Sequence, residues 1–380
     1  MEELGRRLDR LARRAVSLRI RAHAGAAVLL LAGSLAVAPA GAQAALRVRG
    51  SDGDWRAWWQ AAEAPARWSS AHAAVAAAVR WDSVAPGLAV AELPIAAPGE
   101  AGVDALGRMR VVLARIDPAR HELRLAAGSP PGAPWRVDDA PAAARLALNA
   151  GQFTDAGPWG WLVHDGRELQ APAPGPLSAA LVVDRRGGVR IVAAADLPAA
   201  RAAARRGEIA EAVQSYPMLL AGDGAVPAQL RAAGRGVDLE HRDRRLAIGV
   251  LRDGRVIVAL TRFDGAPAAL GEAVAGALGR VPLGLTVPEM AAVMGGLGCG
   301  QAVLLDGGLS AQLLVRDAAG AARSWPGTRR VPLGLVALPR CGGARRTAWD
   351  VARRTQDATA GAERRVPSAV SRLSREPGRT

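Results

Sequence analysis

The sequence predicts an α+β fold, with a mixed β-sheet core built from hairpins and a few packed helices. Short apolar runs bounded by turn residues recur along the chain, which is typical of buried strands. Several neighbouring runs are joined by Asp-Gly or Gly-Gly pairs, and such a pair between apolar runs indicates a β-hairpin. With 380 residues, half of them hydrophobic, the chain is long enough to bury a large core.

The N-terminal 44 residues predict an export signal or a membrane anchor. Arginines as far as Arg21 precede an apolar run over 24–38, which is short for a bilayer span, and small residues at 40–44 have the spacing of a cleavage site. We therefore expect a periplasmic or secreted protein. The alternative is an uncleaved segment that anchors the chain to the membrane through 24–38.

The rest of the chain divides into three segments. Residues 45–83 form a tryptophan- and alanine-rich lead segment that the pattern predicts to be helical or irregular. Residues 84–340 hold the strand and turn signals and are expected to form the main domain. Residues 341–380 are basic and poor in hydrophobic residues, which predicts a disordered tail.

Within the main domain, turn and helix-capping residues indicate where the secondary-structure elements begin and end. A Gly-Gly pair and two Asp-Gly pairs predict three hairpins, over 161–169, 179–192 and 244–260. Residues 195–214 have helical spacing, broken near Gly207. Thr286-Val287-Pro288-Glu289 has the pattern of a capping box with proline in the first turn, which predicts a helix running towards Gly298.

Charge and cysteine content exclude several classes of protein. The net charge of +14 comes from arginine alone, and residues 1–23 and 342–380 hold so much of it that the body carries only +5. This distribution argues against a groove that binds nucleic acid. Any contact with a membrane is expected through the N-terminal segment. Cys299 and Cys341 are too few for a disulfide framework, and they form either one bridge or two buried thiols.

The most informative motif is an apolar strand over 301–305 that runs into Asp306, Gly307, Gly308 and Ser310. A strand end holds a side chain rigidly, and glycines allow a close approach of the backbone to a ligand. The simpler interpretation is that Asp306 caps its own turn as the strand leaves the core. The motif gains weight from two similar segments elsewhere in the chain.

Those two segments also place polar groups beside predicted strands. Residues 146–149 run into a turn that carries Asn149, Gln152 and Thr154, whose side chains offer donors and acceptors. Arg245 begins the strand that continues to Val250. A guanidinium can bind phosphate oxygens in a bidentate pair, which a lysine does less well.

In order and spacing these motifs resemble the phosphodiester glycosidase family over roughly residues 84–340. The family's Asn-Gly-Gly-Phe-Phe is similar to 149–153 and its Gln-Ser-Gly-Pro to 214–217. Its Arg-Thr-Ala-Ile-Gly is similar to 245–249 and its Asp-Gly-Gly-Gly-Ser-Ser to 306–311. Departures at Gln152, Tyr216 and Leu309 alter the expected wall of the pocket and leave the charged positions in place.

The resemblance implies an exported hydrolase that cleaves the glycosidic bond of a sugar-1-phosphodiester of the N-acetylglucosamine-1-phosphate type. Asp306 is then the catalytic carboxylate and Arg245 the phosphate-binding catalytic residue. We expect burial and a nearby guanidinium to have opposite effects on the pKa of Asp306. The expected substrate-binding residues are Asn149, Gly151, Gln152, Thr154, Gln214, Ser215, Gly307, Gly308 and Ser310, with backbone N–H groups of the two glycines as phosphate donors.

Neither a cofactor nor a metal is expected, since the sequence has no metal-ligand cluster. Trp159 and Trp161 either stack on a sugar or pack in the core, and His164 and His241 are interpreted as solvated loop residues. Two other functions stay open. One is a non-catalytic envelope protein that binds carbohydrate, favoured by the motif departures, and the other is a phosphodiesterase that cuts the phosphorus–oxygen bond.

Overall fold

Antiparallel β-sheets dominate the protein, as seen in a computed structural model. It describes residues 45–96, 108–128, 133–175, 177–231, 238–264 and 284–340. The predicted export segment 1–44 and tail 341–380, with Cys341, lie outside these residues. Within them, no helix has the length and apolar character that crossing a bilayer requires.

Three sheets and one short ribbon account for the strands of the described residues. The first sheet has the spatial order β15 (Met218–Leu220), β18 (Cys299–Leu304), β16 (Leu246–Leu251), β17 (Val256–Asp264), β5 (Arg108–Ile116), β4 (Leu88–Ala96), β1 (Ala45–Arg49) and β2 (Trp55–Gln60), with β3 (Asp82–Ala85) paired to β4. The second has the order β11 (Arg167–Gln170), β10 (Leu162–His164), β14 (Ile209–Ser215), β12 (Ala179–Asp184) and β13 (Val189–Ala193). The third has the order β20 (Ala322–Trp325), β19 (Leu313–Arg316), β7 (Leu146–Asn149), β21 (Leu333–Pro339) and β6 (His121–Ala127), and the ribbon pairs β8 (Phe153–Thr154) with β9 (Gly157–Pro158).

Helices are few, as predicted. Those in the described ranges are α1 (Ala73–Ala78), α2 (Leu197–Arg205) and α3 (Val287–Gly296). The side chain of Thr286 accepts a hydrogen bond from the N–H of Glu289, and the Glu289 carboxylate accepts one from the N–H of Thr286. The predicted capping box and its helix are therefore confirmed.

Successive side chains along the central strands point into two different hydrophobic cores. Leu246, Ile248 and Val250 of β16 face a core shared by all three sheets, whereas Ala247 faces a second core that includes α3. This period of two is the pleat of a strand buried on both faces. A Cβ at Gly249 would lie 2.9 Å from the backbone oxygen of Gln301 on β18, so a side chain at this position would collide with the neighbouring strand.

Several sequence predictions need correction. All strand pairs among the described residues are antiparallel, so the predicted mixed sheet is wrong. Several neighbours are joined by short turns, which only antiparallel strands allow. The lead segment is not mainly helical, because residues 45–49 and 55–60 form β1 and β2. Residues 209–214, predicted as helix, lie in β14 (Ile209–Ser215), where burial of nearly every side chain within the sheet outweighs the helical propensity of alanine.

Candidate functional site

A cavity of about 640 Å³ opens beside the end of β18. Residues from six places in the sequence line it: the stretch after β7, the segment before β12, the segment after β14, the charged loop before β16, the start of α3 and the end of β18. They are Gln152, Phe153, Thr154, Trp159, Pro174, Gly175, Tyr216, Pro217, Asp238, His241, Asp243, Arg245, Val287, Leu304, Leu305, Asp306 and Gly307.

Asp306 and Arg245 line this cavity together because β16 and β18 are antiparallel neighbours. Ala247 pairs with Leu304, and the N–H of Leu305 donates to the carbonyl of Leu246 at 2.9 Å. The start of β16 therefore lies beside the end of β18. Two residues about sixty positions apart in sequence reach one wall through backbone pairing alone.

The carboxyl group of Asp306 is partly buried, and this sets its titration. Burial raises its pKa, and the charge of Asp243 raises it further. A hydrogen bond from the Ser310 hydroxyl, the charge of Arg329 and a backbone hydrogen bond from Gly307 lower it, but the net shift is upward. The carboxylate is consequently a stronger base than an ordinary aspartate.

Arg245 is held by backbone carbonyls on one edge of its guanidinium. Nε donates to the carbonyl of Leu285 at 2.9 Å, and Nη2 donates to the carbonyl of His241 at 2.6 Å. Burial lowers the pKa of this guanidinium, whereas Asp243, Asp238 and Glu289 raise it. Nη1 has no hydrogen-bond partner within the described residues, which leaves it available to a ligand.

The guanidinium expected to lower the pKa of Asp306 is not Arg245. The charges that act on Arg245 are those of Asp243, Asp238 and Glu289, while the cation that acts on Asp306 is Arg329. A guanidinium does lower the pKa of Asp306, as expected, but it belongs to Arg329.

Sequence reasoning missed the carboxylates of Asp238 and Asp243 and treated His241 as a solvated loop residue. All three line the cavity, and Nε2 of His241 is 3.9 Å from Oδ2 of Asp243. The only signal was a dense run of charged residues just before β16. That pattern is more often an exposed loop, and nothing local indicates that it folds over a pocket.

A buried ion pair holds this charged loop in place. Nη1 and Nη2 of Arg242 donate to the two carboxylate oxygens of Glu289 at 2.7 and 2.6 Å, and the Glu289 side chain is 3 % exposed. Because Glu289 also caps α3, the loop is tied to the first turn of that helix. A bidentate pair in this setting fixes geometry as well as contributing energy.

Asn149 lies outside the cavity wall, which corrects its predicted sugar contact. It is completely buried; Nδ2 donates to the carbonyl of Asp306 at 2.8 Å, and Oδ1 accepts from the N–H of Gln312 at 3.0 Å. Its amide is committed to holding the chain on both sides of the 306–310 turn. Asn149 is a positioning residue for Asp306.

Gln214 and Ser215 are also structural. Oε1 of Gln214 accepts from the N–H groups of Trp161 and Ala173, and its Nε2 donates to the carbonyl of Ala173. The Ser215 hydroxyl donates to the carbonyl of Leu304 at 2.5 Å. Both side chains are completely buried, so neither predicted contact with a sugar hydroxyl is available.

The turn after β7 also contains both a buried residue and residues that line the cavity. Gly151 packs behind the wall, because a Cβ there would lie 2.7 Å from Cγ2 of Val213. Gln152 and Thr154 do line the cavity, as predicted, and Nε2 of Gln152 donates to the carbonyl of Tyr216 at 3.2 Å. The oxygen of the Gln152 amide has no partner in the described part of the chain.

The glycines after Asp306 do not supply free backbone donors. The N–H of Gly308 donates to the carbonyl of Arg244 at 2.7 Å, and Gly307 makes its backbone hydrogen bond with Asp306 itself. Gly307 lines the cavity, whereas Ser310 is buried and acts on the Asp306 carboxyl. In this structure both N–H groups therefore have partners within the protein.

Three aromatic side chains also line the cavity. Phe153, Trp159 and Tyr216 line the cavity and remain partly exposed. Trp161 is completely buried and donates from Nε1 to Glu168 at 3.1 Å, so it is the packing residue of the two tryptophans. Across the described ranges, no group of three or more His, Cys, Asp or Glu side chains has an arrangement that would hold a metal ion.

A family model described as phosphodiester glycosidase matches residues 142–338, just over half of the chain. The matched range contains every residue that lines the cavity. No curated protein matches the chain.

Two solved structures are similar to this chain at low sequence identity. The zebrafish N-acetylglucosamine-1-phosphodiester alpha-N-acetylglucosaminidase catalytic domain, auto-inhibited by its pro-peptide, is 15 % identical with a TM-score of 0.48, over 69 % of this chain and 88 % of that chain. A hypothetical protein from Synechocystis is 16 % identical with a TM-score of 0.46, over 69 % of this chain and 64 % of that chain.

The division between positioning and cavity-lining amides is testable by paired substitutions. Asn149→Ala should lower the free energy of unfolding by about 1–3 kcal/mol, since it leaves buried backbone groups of residues 306 and 312 without partners. Gln152→Ala, on the cavity wall, should change it by less than about 0.5 kcal/mol. Urea denaturation of both variants measures this, and equal losses would contradict the assignment.

Proposed function

Because the chain belongs to the phosphodiester glycosidase family, we propose that it hydrolyses the glycosidic bond of a sugar-1-phosphodiester and releases a free sugar and a phosphomonoester. The observation that carries the proposal is that Asp306 and Arg245 line one cavity together with aromatic side chains. The N-acetylglucosamine-1-phosphate type of substrate rests on the family alone. Export through residues 1–44 stays part of the proposal.

The chemistry of this bond suits the groups present. A phosphomonoester has a second pKa of about 6, so it leaves without the strong acid that an ordinary glycoside needs. Protonation of the leaving group can then be dispensed with. What remains necessary is a base for water, a cation for the phosphate and a surface that holds the sugar ring.

Asp306 is proposed as the general base. It removes a proton from a water molecule as the water oxygen bonds to the anomeric carbon, and the electron pair of the breaking carbon–oxygen bond goes to the phosphate oxygen. The raised pKa of Asp306 favours this role because the carboxylate accepts a proton more readily. Asp243, on the same cavity, stabilises positive charge that develops on the sugar ring.

Arg245 is proposed to bind the phosphate through Nη1, since its other edge is fixed by two carbonyls. Such fixation lowers the entropy that is lost when a guanidinium binds an anion. Gln152 and Thr154 offer polar contacts to the sugar, and the rings of Trp159 and Tyr216 offer faces for it. These roles are assigned by position on the wall.

The direct test is hydrolysis of N-acetylglucosamine 1-phosphate diesters by the full chain. Asp306→Asn should lower kcat by about 10²–10⁴-fold, the usual contribution of a general base. Asp253→Asn is the matched control, because Asp253 lies in the exposed turn between β16 and β17 and pairs with Arg255. Its kcat should equal that of the wild type.

Water labelled with heavy oxygen identifies the bond that breaks. The proposal predicts label on the sugar. Label on the phosphate would instead establish a phosphodiesterase, and an absence of phosphomonoester together with glycan binding that survives Asp306→Asn would establish a carbohydrate-binding protein.

The raised pKa of Asp306 also predicts the pH dependence. Since the ionised form is the base, kcat/KM should fall on the acid side with a midpoint above about 3.9, the ordinary aspartate value. Folding favours the protonated form of such a group, so ionisation at neutral pH costs stability. Asp306→Asn should therefore raise Tm at pH 7. An acid limb at or below the ordinary value, or a lowered Tm, would contradict this assignment.

A further inference from the structure

The described wall of the cavity carries more negative than positive charge. Asp238, Asp243 and Asp306 line it, against the single guanidinium of Arg245. A phosphodiester brings one more negative charge to this wall. Like charges at close range disfavour binding, so Arg245 alone is a weak counterion for such a ligand.

Arg329 supplies a second cation beside the same cavity. Its guanidinium carbon lies 4.8 Å above the centre of the Phe153 ring, and Phe153 lines the cavity. The side chain is about half exposed. A cation over an aromatic face is held in orientation while its N–H groups stay free at the edge.

The donors of Arg329 are not committed to the protein. Within the described residues its guanidinium makes no hydrogen bond, and its ion-pair contact is with Asp155 at 4.0 Å, a fully exposed residue. An exposed pair at that distance contributes little. The neighbouring Arg330 differs, because its Nη1 donates to the carbonyl of Pro134 and to Asp139, both at 3.0 Å.

The backbone of Arg329 is fixed to the turn that carries Asp306. The N–H groups of Thr328 and Arg329 both donate to the carbonyl of Leu309, at 2.9 and 3.0 Å. The charge of Arg329 reaches the Asp306 carboxyl and lowers its pKa. The guanidinium is thus placed by backbone hydrogen bonds, by an aromatic ring and by proximity to the proposed base.

We propose that Arg329 is the second arm of a clamp that holds the phosphate group of the substrate at the mouth of the cavity. This rests on the proposed function for the identity of the ligand. A phosphate at a half-exposed residue places the esterified alcohol in solvent and the sugar towards Trp159 and Tyr216. The substrate class is then a terminal sugar-1-phosphate on an alcohol of any size, including a polymer.

Binding measurements test the clamp without any need for turnover. In an Asp306→Asn background, Arg329→Gln should weaken binding of the methyl diester of N-acetylglucosamine 1-phosphate by about tenfold or more, the loss expected for a charge-assisted hydrogen bond. Binding of neutral methyl N-acetylglucosaminide should change by less than about twofold, because it lacks the charge. Titration calorimetry gives both affinities.

Two further variants sharpen the result. Arg329→Lys should recover part of the diester affinity, since it keeps the charge and loses the fork. Arg330→Gln, the matched control, should leave both affinities unchanged. Melting temperatures of all variants check the fold, and an exposed side chain at 329 makes a large change unexpected.

The proposal is overturned if Arg329→Gln leaves diester affinity unchanged, if it weakens both ligands equally, or if the diester does not bind when Arg329 is present. Failure of the proposed function is a separate outcome. A wild-type chain that binds the diester through Arg329 yet never hydrolyses it would contradict the glycosidase and leave the clamp intact.

Discussion

The site depends on the antiparallel pairing of β16 with β18. The hydrogen bond from the N–H of Leu305 to the carbonyl of Leu246 closes that ladder at its end and sets Asp306 beside Arg245. Both strands are buried on both faces, so a slip of one residue would exchange their two cores. The register is therefore strongly fixed, and the geometry of the charged groups is fixed with it.

Buried polar side chains extend this rigidity to the loops. Asn149 holds the carbonyl of Asp306, Ser215 holds the carbonyl of Leu304, and Glu289 holds the charged loop through Arg242. Each of these side chains forms its hydrogen bonds within the protein, because a buried polar group without a partner lowers stability. Among the described residues of the cavity, Nη1 of Arg245 and the Gln152 oxygen have no partner in the protein and can meet a ligand.

Local patterns predicted the parts of the fold that local physics decides. The Asp253-Gly254 turn gave its hairpin, Thr286 and Glu289 gave a helix start, and the apolar run before Asp306 gave a strand end. The sequence pattern predicts a sugar contact for Asn149, whereas its amide holds the turn that follows Asp306. A local pattern does not reveal this role, because both partners lie more than 150 residues away in the sequence. Arg329 was missed, because only tertiary packing brings it to Phe153.

The central claim is that Asp306 and Arg245 act on one substrate within one cavity. A crystal structure of the Asp306→Asn variant with a trapped N-acetylglucosamine 1-phosphate diester tests it most directly. The account predicts a phosphate oxygen about 2.7–3.2 Å from Nη1 of Arg245. It also predicts the anomeric carbon facing residue 306, with room for one water between them. A diester bound elsewhere, or one whose anomeric carbon faces away from residue 306, would contradict the account.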